Sequence, residues 1–257
     1  MKIGIIGAAF MGPILAGKLV QAGHQVKISN SRGPESLKDV EERTGATAVS
    51  VSDAVKDVEI VFIAIPTKAV LKLPVGLFSG LSDDVVVVDV TNHFPWRDGT
   101  IEALDAGTSE SRWISDQIGA SVVKALNTMA FPSFDAEGRP AGSPGRLALP
   151  VAGDDARAKG IVLKLVDQLG FDGVDAGSID ESWRQQPGSP VYCTDLDAQA
   201  VEEGLARADA QKSRKRRDIS SEIFSGPGEN LPPVSEAGHL VPIIRAIYRA
   251  VQKMEPA

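Results

Sequence analysis

The sequence predicts an α/β fold, a doubly wound parallel sheet with a small, mostly helical C-terminal cap. Three observations carry this. Short, almost continuously apolar runs recur through the first two-thirds of the chain, helical stretches separate them, and the first run ends in a glycine turn that opens a helix. Strands apolar on both sides belong to sheets covered on both faces. Their alternation with helices implies parallel pairing through right-handed crossovers.

The strands are expected at "KIGIIG" (2–7), "QVKIS" (25–29), "EIVFIAI" (59–65), "VVVVDV" (85–90) and "SVVKAL" (121–126), with a short extra one at "ATAVS" (46–50). Helices are expected over 10–22, 34–44, 67–79 and 98–107. "GRLALPVAGDD" (145–155) adds a strand and a turn, followed by a helix over 155–169 and an edge strand in "GFDGVDAG" (170–177). After Ser178 the chain becomes polar, aromatic and turn-rich, which divides it into a sheet domain, 1–178, and a cap and tail, 179–257. In the tail, 197–218 reads as one charged amphipathic helix whose "KSRKRR" run forms a solvated face. A Gly/Pro loop (225–233) and a closing helix (239–254) follow.

Composition narrows the function. The chain has 257 residues, 24% charged and 43% hydrophobic, as in ordinary globular proteins. A net charge of −7 argues against general nucleic-acid or anionic-membrane binding. No apolar run approaches the roughly 18 residues of a spanning helix. Cys193 is the single cysteine, so no intrachain disulfide forms, and one Cys with three scattered His offers no zinc-ligand spacing. With no basic leader or cleavage site in view, a cytoplasmic protein is expected.

Gly7-Ala8-Ala9-Phe10-Met11-Gly12 matches the dinucleotide fingerprint with alanine at its middle glycine. Gly7 serves the tight turn and Gly12 the close packing of helix on strand, while the middle position faces the pyrophosphate. The helix N-terminus offers N–H groups and partial positive charge to phosphates. Where an NAD-binding chain carries an acid after its second strand, this one has Asn30, Ser31 and Arg32. Ser31 can donate to a 2′-phosphate, Arg32 can pair with it, and Lys38 can add charge, so NADP(H) is the expected cofactor. Ligands of open parallel sheets collect at the strand C-termini. Ile65, Pro66, Thr67, Thr91, Asn92, Asn127, Thr128 and Met129 are therefore expected around the nicotinamide.

With those residues, the chain resembles the NADP-dependent oxidoreductases of the coenzyme F420 (8-hydroxy-5-deazaflavin) type over roughly residues 2–190. The likeness rests on "IGIIGAAFMG", "SNSRGPESL", "VVDVTN", "VVKALNTM", "LPVAGDD" and "GFDGVDAG". It implies a Rossmann-like sheet and hydride exchange between NADP and a deazaflavin. Ala9 and the long tail with "SWRQQPGSPVYCTDLD" depart from the family pattern, and the tail is where the second substrate is expected.

No His–Asp or His–Glu spacing suited to carbonyl reduction is present. Proton-donor candidates are His93, Lys124 and Tyr192, and Trp183 and Arg184 are candidates to stack on or pair with a flat, acidic substrate. Transfer between two flat heterocycles needs little beyond stacking. The expected function is therefore an NADP(H)-dependent oxidoreductase with a deazaflavin or flavin partner. The alternatives are an NADPH-dependent reductase of a small imine or carbonyl compound and a non-catalytic NADP(H) sensor. The apolar face of 239–254 predicts a homodimer. Light scattering at micromolar concentration should give twice the chain mass, and a monomer would remove the expectation.

Overall fold

A computed structural model describes residues 1–225 together with Pro242 and Ala246. The loop expected over 225–233, beyond Ser225, and the closing helix over 239–254, those two residues apart, lie outside the described residues. The strands β1 (Lys2–Ile6), β2 (Gln25–Ser29), β3 (Thr47–Ala48), β4 (Ile60–Ile63), β5 (Val86–Asp89) and β6 (Val122–Lys124) form one parallel sheet. Their order is β3-β2-β1-β4-β5-β6, the Rossmann-like arrangement. A second parallel pair, β7 (Ala148–Val151) and β8 (Asp172–Asp175), meets the β6 edge through one antiparallel bridge. There Lys124 N–H donates to the Ala152 carbonyl at 2.8 Å and Ala152 N–H returns to Lys124 at 3.0 Å.

Alternate strand residues feed two cores, as the apolar runs require. Ile3, Ile5, Phe62 and Val88 pack on one face, and Ile6, Val61, Ile63 and Val87 on the other. Helix α1 (Met11–Gln21) buries Gly12, Leu15, Ala16 and Leu19, a helical stripe turned to the sheet. A 3-10 turn at Pro34–Leu37 leads into α2 (Lys38–Thr44), and α3 (Val51–Ala54) precedes β4. Beyond β5 come α4 (Pro95–Asp98), α5 (Glu102–Asp105) and α6 (Glu110–Ile118), and beyond β6 comes α7 (Phe131–Ala136). Helix α8 (Ala156–Gln168) is capped by Asp155, which accepts from the N–H groups of Arg157 and Ala158. In the cap, α9 (Ala198–Ala206) and α10 (Ala210–Ser225) follow a 3-10 stretch at Asp180–Gln185. A third apolar cluster joins β7 and β8 to Val191, Val201 and Leu205 of the cap.

All eight expected strands are present. The helix expected over 67–79 is only a 3-10 stretch, Thr67–Lys72, because Pro74 forces Leu73 into extended backbone. The one expected over 98–107 is split into α4 and α5 by Gly99 at φ +71. Helices α6 and α7 were not expected. The single tail helix over 197–218 is two helices, because the Asp209 carboxylate caps a new start by accepting from Lys212 N–H at 2.8 Å. The basic run is not a solvated face either: Arg216 and Arg217 are buried, and only Lys212 and Lys215 are fully exposed.

The C-terminal ends of β5 and β6 hold a buried polar cluster. Lys124 Nζ lies 3.1 Å from Asp89 Oδ2, with neither side chain exposed at all, and also donates to the Thr91 carbonyl. Asp89 further accepts from Thr91 N–H at 2.8 Å and from Ser111 Oγ at 2.6 Å. Next to them Glu110 accepts from His93 N–H at 3.0 Å. Burial pushes the Glu110 carboxyl up to about 7 against the opposing pull of Lys124.

Removing one partner of a buried pair strands the other charge. Lys124→Met should therefore lower unfolding free energy by about 3–5 kcal/mol in urea titrations at pH 7. Glu110 makes a pH-dependent contribution. Its folded pKa is raised, so its neutral form favours the fold below the ordinary carboxyl range near 4.5, and stability is lost as pH climbs toward about 7. The loss is about 3 kcal/mol across that window. Glu110→Gln should remove it, so the stability of the variant relative to the wild type rises from pH 4.5 to 7 and is level above.

Candidate active site

Three loops at the C-terminal edge of the sheet frame the candidate site. The first runs from β1 into α1. Gly7 has φ +124, and a Cβ there would stand 2.1 Å from the Ala64 carbonyl oxygen. A Cβ on Gly12 would stand 2.0 Å from the Gly7 carbonyl oxygen. Both glycines are thus required by close backbone approach, as the fingerprint reading expects. Ala8 is half-buried, while Ala9 and Phe10 are exposed, so the methyl group at the middle position occupies open space. Helix α1 begins at Met11 with no side-chain cap, which leaves its first N–H groups to a phosphate.

The second loop follows β2. Asn30 Oδ1 accepts from Arg32 N–H at 2.9 Å, while Asn30 Nδ2 donates to Ser36 Oγ at 2.8 Å. Asn30 therefore shapes the turn that presents Ser31 and Arg32, both exposed, with Lys38 exposed at the start of α2. Among the described residues the Arg32 guanidinium makes no hydrogen bond or ion pair. A cation held by a built turn and left without an internal partner is suited to an external anion.

The third region comprises the ends of β4, β5 and β6. Ile65 packs beside Gly7, Pro66 is exposed, and Thr67 is wholly buried. The hydroxyls of Thr67 and Thr91 are buried without any hydrogen-bond partner. Two such orphans in one strand-end region fit a ligand that supplies polar atoms. Together with the glycine cradle and Arg32, they fit a phosphorylated dinucleotide.

The other expected residues are covered more than anticipated. Leu126, at φ +62, turns the chain sharply after β6 and buries Asn127, Thr128 and Met129. Asn127 Nδ2 donates to Asn92 Oδ1 at 3.0 Å and to the Gln185 carbonyl at 2.8 Å, and Gln185 Nε2 returns to Asn127 Oδ1 at 3.0 Å. Cys193 N–H covers the Thr128 carbonyl at 2.6 Å, and Met129 belongs to the core. These residues join sheet to cap.

The proton-donor candidates are also engaged. His93 has no exposed surface: Nε2 lies 2.9 Å from the Gly99 carbonyl oxygen and Nδ1 3.4 Å from an Arg217 nitrogen. Burial holds the His93 ring below its ordinary range, with the Arg217 charge adding to the effect. Lys124 is locked on Asp89. Tyr192, nearly buried, meets the Phe94 ring edge-on at 6.4 Å. Of the substrate candidates, the Arg184 guanidinium lies 4.7 Å from the Trp183 ring centroid and donates to the Leu205 carbonyl at 3.2 Å, which ties both into the cap.

Several side chains at this edge escaped the sequence reading. Phe10 stacks on Phe131 at 5.2 Å beside the fingerprint loop. Phe94 lies 6.2 Å from Trp96, whose ring is half exposed, and carries the Arg97 guanidinium 5.3 Å from its centroid. The signal for the second group, "HFPWR" directly after Asn92, was present in the sequence. Glu110 and Arg217 left no such signal. Among the described residues, no group of His, Cys, Asp or Glu could hold a metal ion, and no helix is long and apolar enough to cross a membrane.

The family model described as "NADP oxidoreductase coenzyme F420-dependent" matches residues 2–93. The protein YjhV of Escherichia coli K12 is 47% identical over 90 residues, 35% of this chain and 66% of YjhV, just under two thirds of its length. The crystal structure of the hypothetical protein SMa0349 of Sinorhizobium meliloti superposes with a TM-score of 0.65 at 31% identity, covering 76% of this chain and 95% of that one. A candidate F420-dependent NADP reductase of Arthrobacter sp. FB24 superposes at 0.56 with 27% identity, covering 70% and 86%. Residues 2–93 thus match the NADP oxidoreductase family of the coenzyme F420-dependent type, and the chain continues beyond them along a fold shared with a relative matched over nearly its whole length.

Proposed function

We propose that this protein is a cytoplasmic NADP(H)-dependent oxidoreductase that exchanges a hydride with a flat heterocyclic partner of the deazaflavin or flavin type. The observation that carries the cofactor is Arg32, exposed and without an internal partner, on a turn built by Asn30 where an NAD-specific chain has an acid. Arg32 and Ser31 bind the 2′-phosphate, and Lys38 adds charge beside it. The N-terminus of α1, beyond Gly7 and Gly12, takes the pyrophosphate. Thr67 and Thr91 offer their hydroxyls at the strand ends, with Ile65 and Pro66 as an apolar wall. The nicotinamide supplies the hydride chemistry when bound.

The flat partner is favoured by what the side chains do. His93 and Lys124 spend their polar atoms inside the protein, so neither is presented as an acid to a carbonyl or imine substrate. The rings of Phe10 with Phe131, and of Phe94 with Trp96, supply apolar, aromatic surface at the same edge of the sheet, and Arg97 adds a positive charge. Such surfaces hold a planar ring by stacking and exclude water from it. A homodimer, supported by the apolar pattern of residues 239–254, is part of the proposal.

Arg32→Ala should weaken NADPH binding by about tenfold or more, the scale of a lost charge-assisted contact, and leave NADH binding within about twofold. Calorimetric titration of both cofactors reads this directly, and equal losses would remove Arg32 as the 2′-phosphate reader. Repeating the NADPH titration with oxidised deazaflavin, flavin and small carbonyl compounds present should show binding of the planar compounds only.

A further inference from the structure

Three side-chain amides from distant parts of the chain form one hydrogen-bonded relay at the ends of β5 and β6. Gln185 of the cap, with no exposed surface, donates from Nε2 to the Pro150 carbonyl at 3.2 Å and to Asn127 Oδ1 at 3.0 Å. Asn127, 3% exposed, donates from Nδ2 to the Gln185 carbonyl at 2.8 Å and to Asn92 Oδ1 at 3.0 Å. Asn92, half-buried, donates from Nδ2 to the Asn127 carbonyl at 3.0 Å.

Each amide thus donates to a backbone carbonyl, and a backbone carbonyl only accepts. None of the three can be turned over without setting two oxygens against each other. Gln185 keeps this direction although its Oε1 is left buried without a partner, an unfavourable state for an acceptor. The direction is therefore fixed from the cap outward, and it ends at Asn92. Gln185 and Asn127 each spend both of their amide hydrogens inside the relay. Asn92 spends one N–H and one lone pair of Oδ1, and keeps one of each. That pairing is the complement of a primary carboxamide, which offers a carbonyl oxygen and an N–H side by side.

Its position agrees. The order β2-β1-β4-β5 places Arg32 after β2, the glycine cradle after β1, Ile65 after β4 and Asn92 after β5. A dinucleotide laid along that edge, with its 2′-phosphate at Arg32 and its pyrophosphate at α1, carries its nicotinamide toward β4 and β5. The Thr91 hydroxyl, buried without a partner, directly precedes Asn92. We propose that Asn92 reads the nicotinamide carboxamide through two hydrogen bonds, and that Asn127 and Gln185 are positioning residues that fix which way its amide faces. The inference rests on the proposed function for the presence of NADP(H). It adds how the reactive ring is oriented, because a carboxamide held at both polar atoms keeps the ring from turning over.

The experiment is calorimetric titration of the full-length protein with NADP⁺, its acetylpyridine analogue and adenosine 2′,5′-bisphosphate. The analogue has a methyl group in place of the amide nitrogen, which leaves Asn92 Oδ1 without a donor. The bisphosphate lacks the nicotinamide half altogether. The wild type should bind the analogue roughly tenfold more weakly than NADP⁺, the scale of one hydrogen bond lost. Asn92→Ala and Asn127→Asp should each bring the two affinities within about twofold, with bisphosphate binding unchanged. Asn127→Asp is nearly isosteric, but its carboxylate cannot donate to Asn92, so lost discrimination with intact bisphosphate binding reads orientation and not folding.

A wild type that binds the bisphosphate but does not discriminate NADP⁺ from the analogue would overturn this inference alone. Discrimination lost in Asn92→Ala but kept in Asn127→Asp would overturn the positioning role. Where Asn127→Asp loses bisphosphate binding, Gln185→Met, which removes both Nε2 hydrogen bonds, replaces it with the same readings. Loss of bisphosphate binding there too would make the relay a fold element and overturn the positioning role. A wild type that binds neither NADP⁺ nor the bisphosphate removes the proposed cofactor, and this inference with it.

Discussion

The buried pair of Asp89 and Lys124 is the constraint on which the site depends. Two opposite charges without solvent are tolerable only when their remaining hydrogen-bonding capacity is filled. Here it is filled by Thr91, Ser111 and the backbone. Thr91 engages the pair through both its N–H and its carbonyl, which pins the path of the backbone beyond β5. That path orients the Thr91 hydroxyl without a partner and delivers Asn92, His93 and Phe94 in turn. Lys124 meanwhile sits where β6 gives its outer edge to Ala152, so the same residue fixes the junction between the main sheet and β7–β8.

The sheet was legible because its signal is local. Strands covered on both faces must be apolar throughout, and all eight were found, to within the usual fraying of their ends. Helices were legible where punctuation was absent. Residues 67–79 have an adequate apolar pattern, but Pro74 denies Leu73 the helical conformation. Helix α6 was overlooked because "ESRWISDQI" is polar on average, its inward side being Glu110, Ser111, Trp113 and Ile114.

The same distinction separates the two halves of the site. The cofactor half is built from contiguous stretches, a fingerprint and a turn after β2, whose backbone geometry follows from glycine and asparagine at fixed positions. The close approach at Gly7 and Gly12 could be read directly, and the turn that Asn30 organises around Arg32 follows from a short-range rule. The region at the ends of β5 and β6 is assembled from residues far apart in the chain. Asn127 meets Asn92 and Gln185 only after β5, β6 and the cap have come together. Arg217 meets His93 across 124 positions of sequence. No spacing encodes such meetings, so the basic run read as solvent-facing, its ordinary role in an acidic chain.

The cap is consequently a working part of the fold. Asn127 and Gln185 exchange hydrogen bonds, Cys193 covers Thr128, and Leu126 is held in a left-handed conformation that a bulky side chain adopts only under constraint from its surroundings. Each contact couples a strand end to the segment after Ser178. If the proposed cofactor site is correct, its nicotinamide end is bordered by side chains whose positions are set from the cap, whereas its adenosine end, around Arg32, is set by β2 and its turn alone. Substitutions in the cap should therefore act on the reactive end of the site while sparing cofactor discrimination.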